Sequence, residues 1–266
     1  MIFGRREGDS RLPFFAGRVI MKKSVFHLSG ENASAGRIEN RFFLFHFTIN
    51  WRNNTMITLM KLPVHRGNAP LRIARGHFAT NHSHINYFVD ITYQKTRLSE
   101  ARDSAQQLVA SFVNDVPVDT ILCLDGTAVI GTCLAEELTK SGFHTINAHR
   151  TIYVLEPEYN ANSQIIFRDN NKAMITGKHV LVLMASVTTG FTAKRSIEAI
   201  GYYGGHVAGV ASIYSAVEEV AGYPVRSVYS INDLPGYASY DYRECPYCKA
   251  GQKLDALVNS FGYSAL

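Results

Sequence analysis

From residue 99 onward, short uninterrupted apolar runs alternate with amphipathic stretches. The runs DTILCL (119–124), HVLVLM (179–184) and HVAGVASIYS (206–215) have little or no polar face. Strands of that kind belong inside a parallel sheet covered on both sides. In SEARDSAQQLVASFV, residues Ala105, Leu108, Val109 and Phe112 mark one helical face, with Ser99 placed as the N-cap and Glu100 in the first turn. VIGTCLAEELTKSG (129–142) predicts a helix closed by Gly142, and FTAKRSIEAIGYYGG (191–205) a helix with Ile197 and Ile200 inward. TIYVLE (151–156) and QIIFR (164–168) predict strands around the polar loop EPEYNANS, and LDALVNSFGY (254–263) predicts a docking helix. This alternation predicts an α/β fold, a parallel central sheet flanked by helices. Its ligand site is expected beyond the carboxyl ends of the strands, where the loops 125–128 and 184–190 fall.

Composition adds little to that picture, but the placement of charge changes it. The 266 residues are 46% hydrophobic and 18% charged, an ordinary globular balance. The run FFLFHF (42–47) is far shorter than the roughly 18 apolar residues a membrane span needs, so no membrane partner is expected. Residues 1–55 hold nine Lys/Arg against four Asp/Glu, whereas residues 56–266 hold eighteen of each. The basic pI of about 9.0 thus comes from the leader, and no nucleic-acid partner is expected for the body. The leader lacks the layout of a secretory signal. It is expected to be a poorly ordered basic extension, with the ordered chain starting near Met56 and Met21 as another possible start. A basic membrane- or RNA-contacting arm and a small extra structural element are the alternatives.

There are four cysteines, and without an export signal a reducing, cytoplasmic setting is expected. Cys123 and Cys133 sit in apolar surroundings as small hydrophobes. Cys245-x-x-Cys248 has the spacing of half a structural zinc site. Free thiols and a redox pair are the other readings of the same spacing. No second CxxC or HxxxH follows, so His77, His82, His84 or His206 would complete a Zn²⁺ site only by tertiary approach.

The richest chemistry lies in SVTTGFT. A strand, a short turn with Thr188, Thr189 and Gly190, and then a helix direct backbone N–H groups and hydroxyls at one place, and the helix N-terminus favours an anion. VLVLMASVTTGFT resembles the motif with which type I phosphoribosyltransferases bind phosphoribosyl pyrophosphate (PRPP): four apolar residues, two acidic residues, then a Thr/Gly loop. The resemblance places Val180 to Leu183 on the strand and assigns the 5′-phosphate loop to Ser186, Thr188, Thr189, Gly190, Phe191 and Thr192. The acidic pair falls on Met184 and Ala185, and the family's second loop glycine on Phe191.

DTILCLDGTAVIGTCLAEEL resembles the family's strand, pyrophosphate loop and helix, which puts that loop on Asp125, Gly126, Thr127 and Ala128. TNHSHINYFVD (80–90) resembles the orotate phosphoribosyltransferase hood segment, with Thr80, Tyr87 and Asp90 on matching positions and Asn81 in place of serine. The resemblance implies a hood over about 56–98, a core over about 99–230 and a C-terminal appendage over 231–266 carrying the CxxC. It implies PRPP and a pyrimidine-type base as substrates, Mg²⁺ on the pyrophosphate and a homodimer. The segment 156–172 takes the place of the family's flexible loop, with Arg150, Arg168 and Lys172 as its cations and Glu156 and Glu158 opposing them. No catalytic group is identified.

Two lost carboxylates amount to roughly 3–6 kcal/mol at about 1.5–3 kcal/mol per charge-assisted bond, or on the order of 10²- to 10⁴-fold in affinity or rate. Alongside an active transferase, the sequence therefore supports a catalytically impaired PRPP- or nucleotide-binding regulatory protein, or a structural role on the same fold.

Overall fold

The computed structural model describes residues 57–62, 67–112, 116–140, 146–148 and 151–266. The expectations for the 1–55 extension, for Arg150 and for Gly142 as a helix stop lie outside the described residues. In chain order the elements are β1 (Met60–Lys61), β2 (Arg72–Ala79), β3 (His84–Asp90), α1 (Thr92–Thr96), α2 (Leu98–Val109), β4 (Thr120–Cys123) and α3 (Ala128–Thr139). There follow β5 (Tyr153–Leu155), β6 (Glu158–Tyr159), β7 (Ile165–Ile166), α4 (Asp169–Lys172), β8 (His179–Val187), α5 (Phe191–Tyr202) and β9 (His206–Ser215). The chain closes with β10 (Glu219–Val220), β11 (Tyr223–Ser230), β12 (Ser239–Tyr240), α6 (Pro246–Lys249), β13 (Ala256–Asn259) and β14 (Gly262–Ala265).

The central sheet runs β10-β11-β9-β8-β4-β5 and is parallel except for the edge strand β10. The predicted α/β architecture is present. Along β8 the side chains alternate between two cores. Leu181, Leu183 and Ala185 join Leu108, Ile121, Ile130 and Leu134 on the face covered by α2 and α3. Val180, Val182 and Met184 join Ile175, Ala193, Ile200 and Val210 on the face covered by α5. Period-two alternation with both faces apolar is what a doubly covered strand requires.

Packing is close where α3 crosses β4: a Cβ on Gly131 would overlap Cys123 Sγ. Burial pushes the Cys123 thiol up to about 12, and burial also raises Cys133. Both are inert packing thiols, as their apolar surroundings imply.

A second, six-stranded sheet forms the hood, in the order β12-β3-β2-β13-β14 with β1 on β2. The C-terminal segment is built into it. The expected docking helix over 254–263 is instead the hairpin β13–β14, with β13 parallel to β2 through Ala256↔Phe78. In this stretch Ala256 and Val258 are buried while Leu257 and Asn259 are exposed, an alternation of period two that a hood sheet satisfies and a helix does not. Two smaller expectations also change. Ser99 is not the N-cap, because α1 runs into α2 through the single extended residue Arg97. β8 continues past Met184 to Val187, so only 188–190 form the turn.

Hood and core are joined by a buried ion pair. Arg72 on β2 donates to both oxygens of Glu100 on α2, at 2.8 and 2.9 Å, and its guanidinium lies 4.0 Å from the Tyr93 ring centre. Both side chains are 8% exposed. Removing one partner strands a buried charge, so Glu100→Ala is expected to lose about 3–5 kcal/mol of stability. Urea unfolding of the variant beside the wild type measures this.

Candidate functional site

A cavity of about 240 Å³ opens where the carboxyl ends of β4 and β8 meet the hood. That is slightly below the roughly 300–1,000 Å³ of typical small-molecule pockets. All six residues assigned to the 5′-phosphate loop line it, Ser186 from within β8 rather than from the turn. Gly190 is the N-cap of α5 with φ 76°, and no side chain caps the helix. The first-turn N–H groups of a 12-residue helix are therefore turned toward the cavity without a side-chain acceptor. The Thr188 and Thr189 hydroxyls do not cap the helix either.

The hood residues Thr80, Asn81, Tyr87 and Asp90 line the opposite wall. Thr80 Oγ1 accepts the N–H groups of His82 and Ser83, which holds the 80–83 turn. Asp90 Oδ1 accepts the Thr92 N–H at 3.0 Å. At the mouth, His82 from the hood packs on Phe191 from α5, ring centres 5.4 Å apart.

Of the second loop, Asp125 reaches the cavity. Thr127 does not; it is buried, and its hydroxyl donates to the carbonyls of Leu124 and Leu183 at 2.7 and 3.2 Å. It braces β4 against β8. Asp125 and Gly126 are both left-handed, with φ 59° and 74°. For a non-glycine residue that conformation costs about 1–2 kcal/mol, and Asp125 carries it at the cavity floor. Its carboxylate accepts the Ala185 N–H and bonds the Ser260 hydroxyl, and burial raises its pKa above the ordinary carboxylate range, partly offset by nearby Lys95.

The positions that correspond to the family's acidic pair are core positions in this chain. Met184 and Ala185 are 3% and 4% exposed, one in each core. The carboxylate beside Ala185 comes from the neighbouring strand's end.

The segment 156–172 carries its own neutralisation. Arg168 is bonded through Nε and Nη2 to Glu158, and Lys172 is paired with Asp169 at 2.6 Å. Neither cation lines the cavity.

Two cations lay beyond sequence reasoning. Lys95 on α1 is buried, donates to the Asp125 carbonyl at 2.9 Å and to the Ser260 carbonyl, and is lowered in pKa by burial. Arg195 on α5 stands 5.5 Å from the Phe191 ring and donates to the Asn162 carbonyl. Neither belongs to a recognisable motif; Arg195, four residues after Phe191, is one helical turn from the 188–190 turn.

Tyr214 and Tyr237 also escaped the sequence reading. Both line the cavity, with rings 5.5 Å apart, and neither buried hydroxyl has a hydrogen-bond partner among the described residues. Burial pushes both phenols above their usual range, so both remain neutral donors. The two residues line the cavity while their hydroxyls are buried, and buried polar groups call for a partner.

Cys245 and Cys248 lie outside this cavity, at the hood edge with His77 and His84.

No family model and no curated protein sequence matches the chain. Solved structures do. An orotate phosphoribosyltransferase from Mycobacterium tuberculosis is 21% identical, with 62% of this chain and 93% of that one covered and a TM-score of 0.42. A phosphoribosyltransferase from Corynebacterium diphtheriae is 19% identical, with 61% and 90% covered and a TM-score of 0.41. An adenine phosphoribosyltransferase from Thermoanaerobacter pseudethanolicus is 17% identical, with 54% and 88% covered and a TM-score of 0.41.

Two outcomes test the site's build. Gly190→Ala forces a left-handed alanine, worth about 1–2 kcal/mol, and sets its Cβ 2.7 Å from Val220 Cγ2. A stability loss of at least that size is expected in denaturant titration. Because the folded-state pKa of Asp125 is raised, the fold binds its proton more tightly than the unfolded chain does. Its contribution thus favours the fold at low pH and is lost as pH rises from the ordinary carboxylate value of about 3.9 through the raised one. Asp125→Asn removes that slope from the pH dependence of unfolding.

Proposed function

We propose that the cavity binds PRPP and supports transfer of its phosphoribosyl group to a pyrimidine-type base, with release of pyrophosphate. The observation that carries the reading is the convergence on one cavity of an uncapped helix N-terminus at Gly190, the carboxylate of Asp125 on its left-handed backbone, and a polar hood wall. The 5′-phosphate would sit on the N–H groups and hydroxyls of Thr188 to Thr192, where anions are favoured. The pyrophosphate would face the Asp125–Gly126 turn, which Lys95 holds from behind.

Mg²⁺ fits this arrangement. It is usually held by one or two carboxylates plus substrate phosphates, and Asp125 and Asp90 are the carboxylates lining the cavity. When bound, the ion would neutralise charge on the departing pyrophosphate. Tyr214 and Tyr237 offer two neutral hydroxyl donors for the exocyclic groups of a base, and the His82–Phe191 pair would shield the reacting centre from water. In this reading the protein pairs as a homodimer, with the 156–172 loop serving the neighbouring site.

A second reading has its own support: a PRPP- or nucleotide-binding protein of weak or absent catalysis. Met184 and Ala185 are in the core, and the cations Arg168 and Lys172 are already paired within their loop. Both readings share the binding step and part at turnover.

Calorimetric titration of the full chain with PRPP and Mg²⁺, followed by an assay of base-dependent pyrophosphate release, separates them. Binding with base-dependent release is expected. Binding without release overturns the transferase in favour of the second reading, and no binding overturns both. Asp125→Ala is expected to weaken Mg²⁺–PRPP binding about 10- to 100-fold, the equivalent of one charge-assisted hydrogen bond.

A further inference from the structure

The hood edge brings together four side chains that sequence leaves far apart. His77 lies two residues before the end of β2, His84 opens β3, Cys245 is the N-cap of α6 and Cys248 lies within that helix. Their ligand atoms all lie within 4.8 Å of one another. The His77 Nε2 is 3.4 Å from Cys245 Sγ and 3.7 Å from Cys248 Sγ. The His84 Nδ1 is 3.3 Å from Cys248 Sγ and 3.2 Å from His77 Nε2.

A regular tetrahedron with Zn–S of about 2.3 Å and Zn–N of about 2.0–2.1 Å has S···N edges of about 3.5 Å and N···N edges of about 3.3 Å. The four separations fall within a few tenths of an ångström of those edges.

The proton on His77 is decided by its other nitrogen. Nδ1 faces two carbonyl oxygens, Gln252 at 3.1 Å and Lys253 at 3.3 Å, and a carbonyl only accepts. Nδ1 therefore carries the proton, and Nε2 presents a lone pair to the cluster. A carbonyl behind a metal-bound imidazole is the usual orienting partner. Without a cation, that lone pair faces His84 Nδ1 and two sulfurs; with one, four electron-pair donors share a centre.

The supporting shell is also in place. Tyr247 stacks on the His77 ring at 5.2 Å. Asp255 accepts the His77 N–H at 2.7 Å and returns its own N–H to the His77 carbonyl.

We propose that His77, His84, Cys245 and Cys248 form a structural Zn²⁺ site that clamps the C-terminal segment onto the hood. Two sulfurs and two nitrogens in tetrahedral array select zinc over oxygen-seeking ions. Four protein ligands leave no open position, so the site is structural rather than catalytic. Because both histidines flank the 80–83 turn, the ion also fixes the ends of a turn that walls the cavity. Binding requires both thiols to give up their protons, two per zinc.

Metal analysis of the purified full chain is expected to give about one zinc per chain. Cobalt replacement is expected to give the intense visible bands of tetrahedral Co²⁺ with thiolate charge transfer. Cys248→Ser and His84→Ala are expected to lose the metal, while His206→Ala, far from the cluster, keeps it. Chelation of the wild type is expected to lower Tm, restored by zinc. The wild-type measurements decide the matter even if a cluster variant fails to fold. Zinc below about 0.2 per chain after purification with zinc supplied would overturn the proposal. So would a Cys245–Cys248 disulfide in freshly purified protein, or an unchanged zinc content in both cluster variants.

Discussion

β8 has to be covered on both faces, and much of the molecule follows from that. Its residues Val180 to Ala185 are all buried. α2 and α3 must therefore lie on one side and α5 on the other, with the strand's carboxyl end as the place where side chains escape the core. The same constraint explains the residues at 184 and 185. Because β8 stays in the sheet to Val187, both side chains belong to cores even where they line the cavity, and the Ala185 N–H is bonded to a carboxylate. The carboxylate that takes that N–H is Asp125, which reaches it by accepting a left-handed backbone at the end of β4.

The hood depends on a different kind of constraint. A small sheet with one thin core needs ties to remain in register. The Arg72–Glu100 pair anchors β2 to α2, and Tyr229 on β11 donates to the Ala69 carbonyl at 2.8 Å. Asn86 exchanges bonds with Gly236 and Ala238. These ties are what allow the 80–83 turn to face the 188–190 turn across the cavity. The cavity is a product of two sheets meeting.

Legibility varied with the reach of the interaction. The strands around residues 120, 180 and 210 were readable because both faces are apolar, and α5 because its inward residues repeat at helical spacing. β11 was missed: its burial alternates weakly, so YPVRSVYS lacks the solid apolar run that marks its neighbours. LDALVNSFGY was misread because a short hood strand with one wet face leaves too few residues to show its period. Lys95, Arg195, Tyr214 and Tyr237 carry no motif; only the tertiary neighbours of the two cations and the place of the two tyrosines in the cavity lining distinguish them from any other lysine, arginine or tyrosine.

Local order along the chain was enough to determine the alternation of strand and helix, the parallel sheet and the Thr/Gly turn at its carboxyl edge, because periodicity and turn chemistry act over a few residues. Tertiary structure alone decided that Asp125 stands beside Ala185 and that His77 and His84 join a CxxC some 160 residues away. It also made the C-terminal segment part of the hood. The reason is physical: backbone period is written in neighbouring residues, whereas a cavity or a ligand cluster is assembled from side chains whose separation in sequence carries no record of their distance in space.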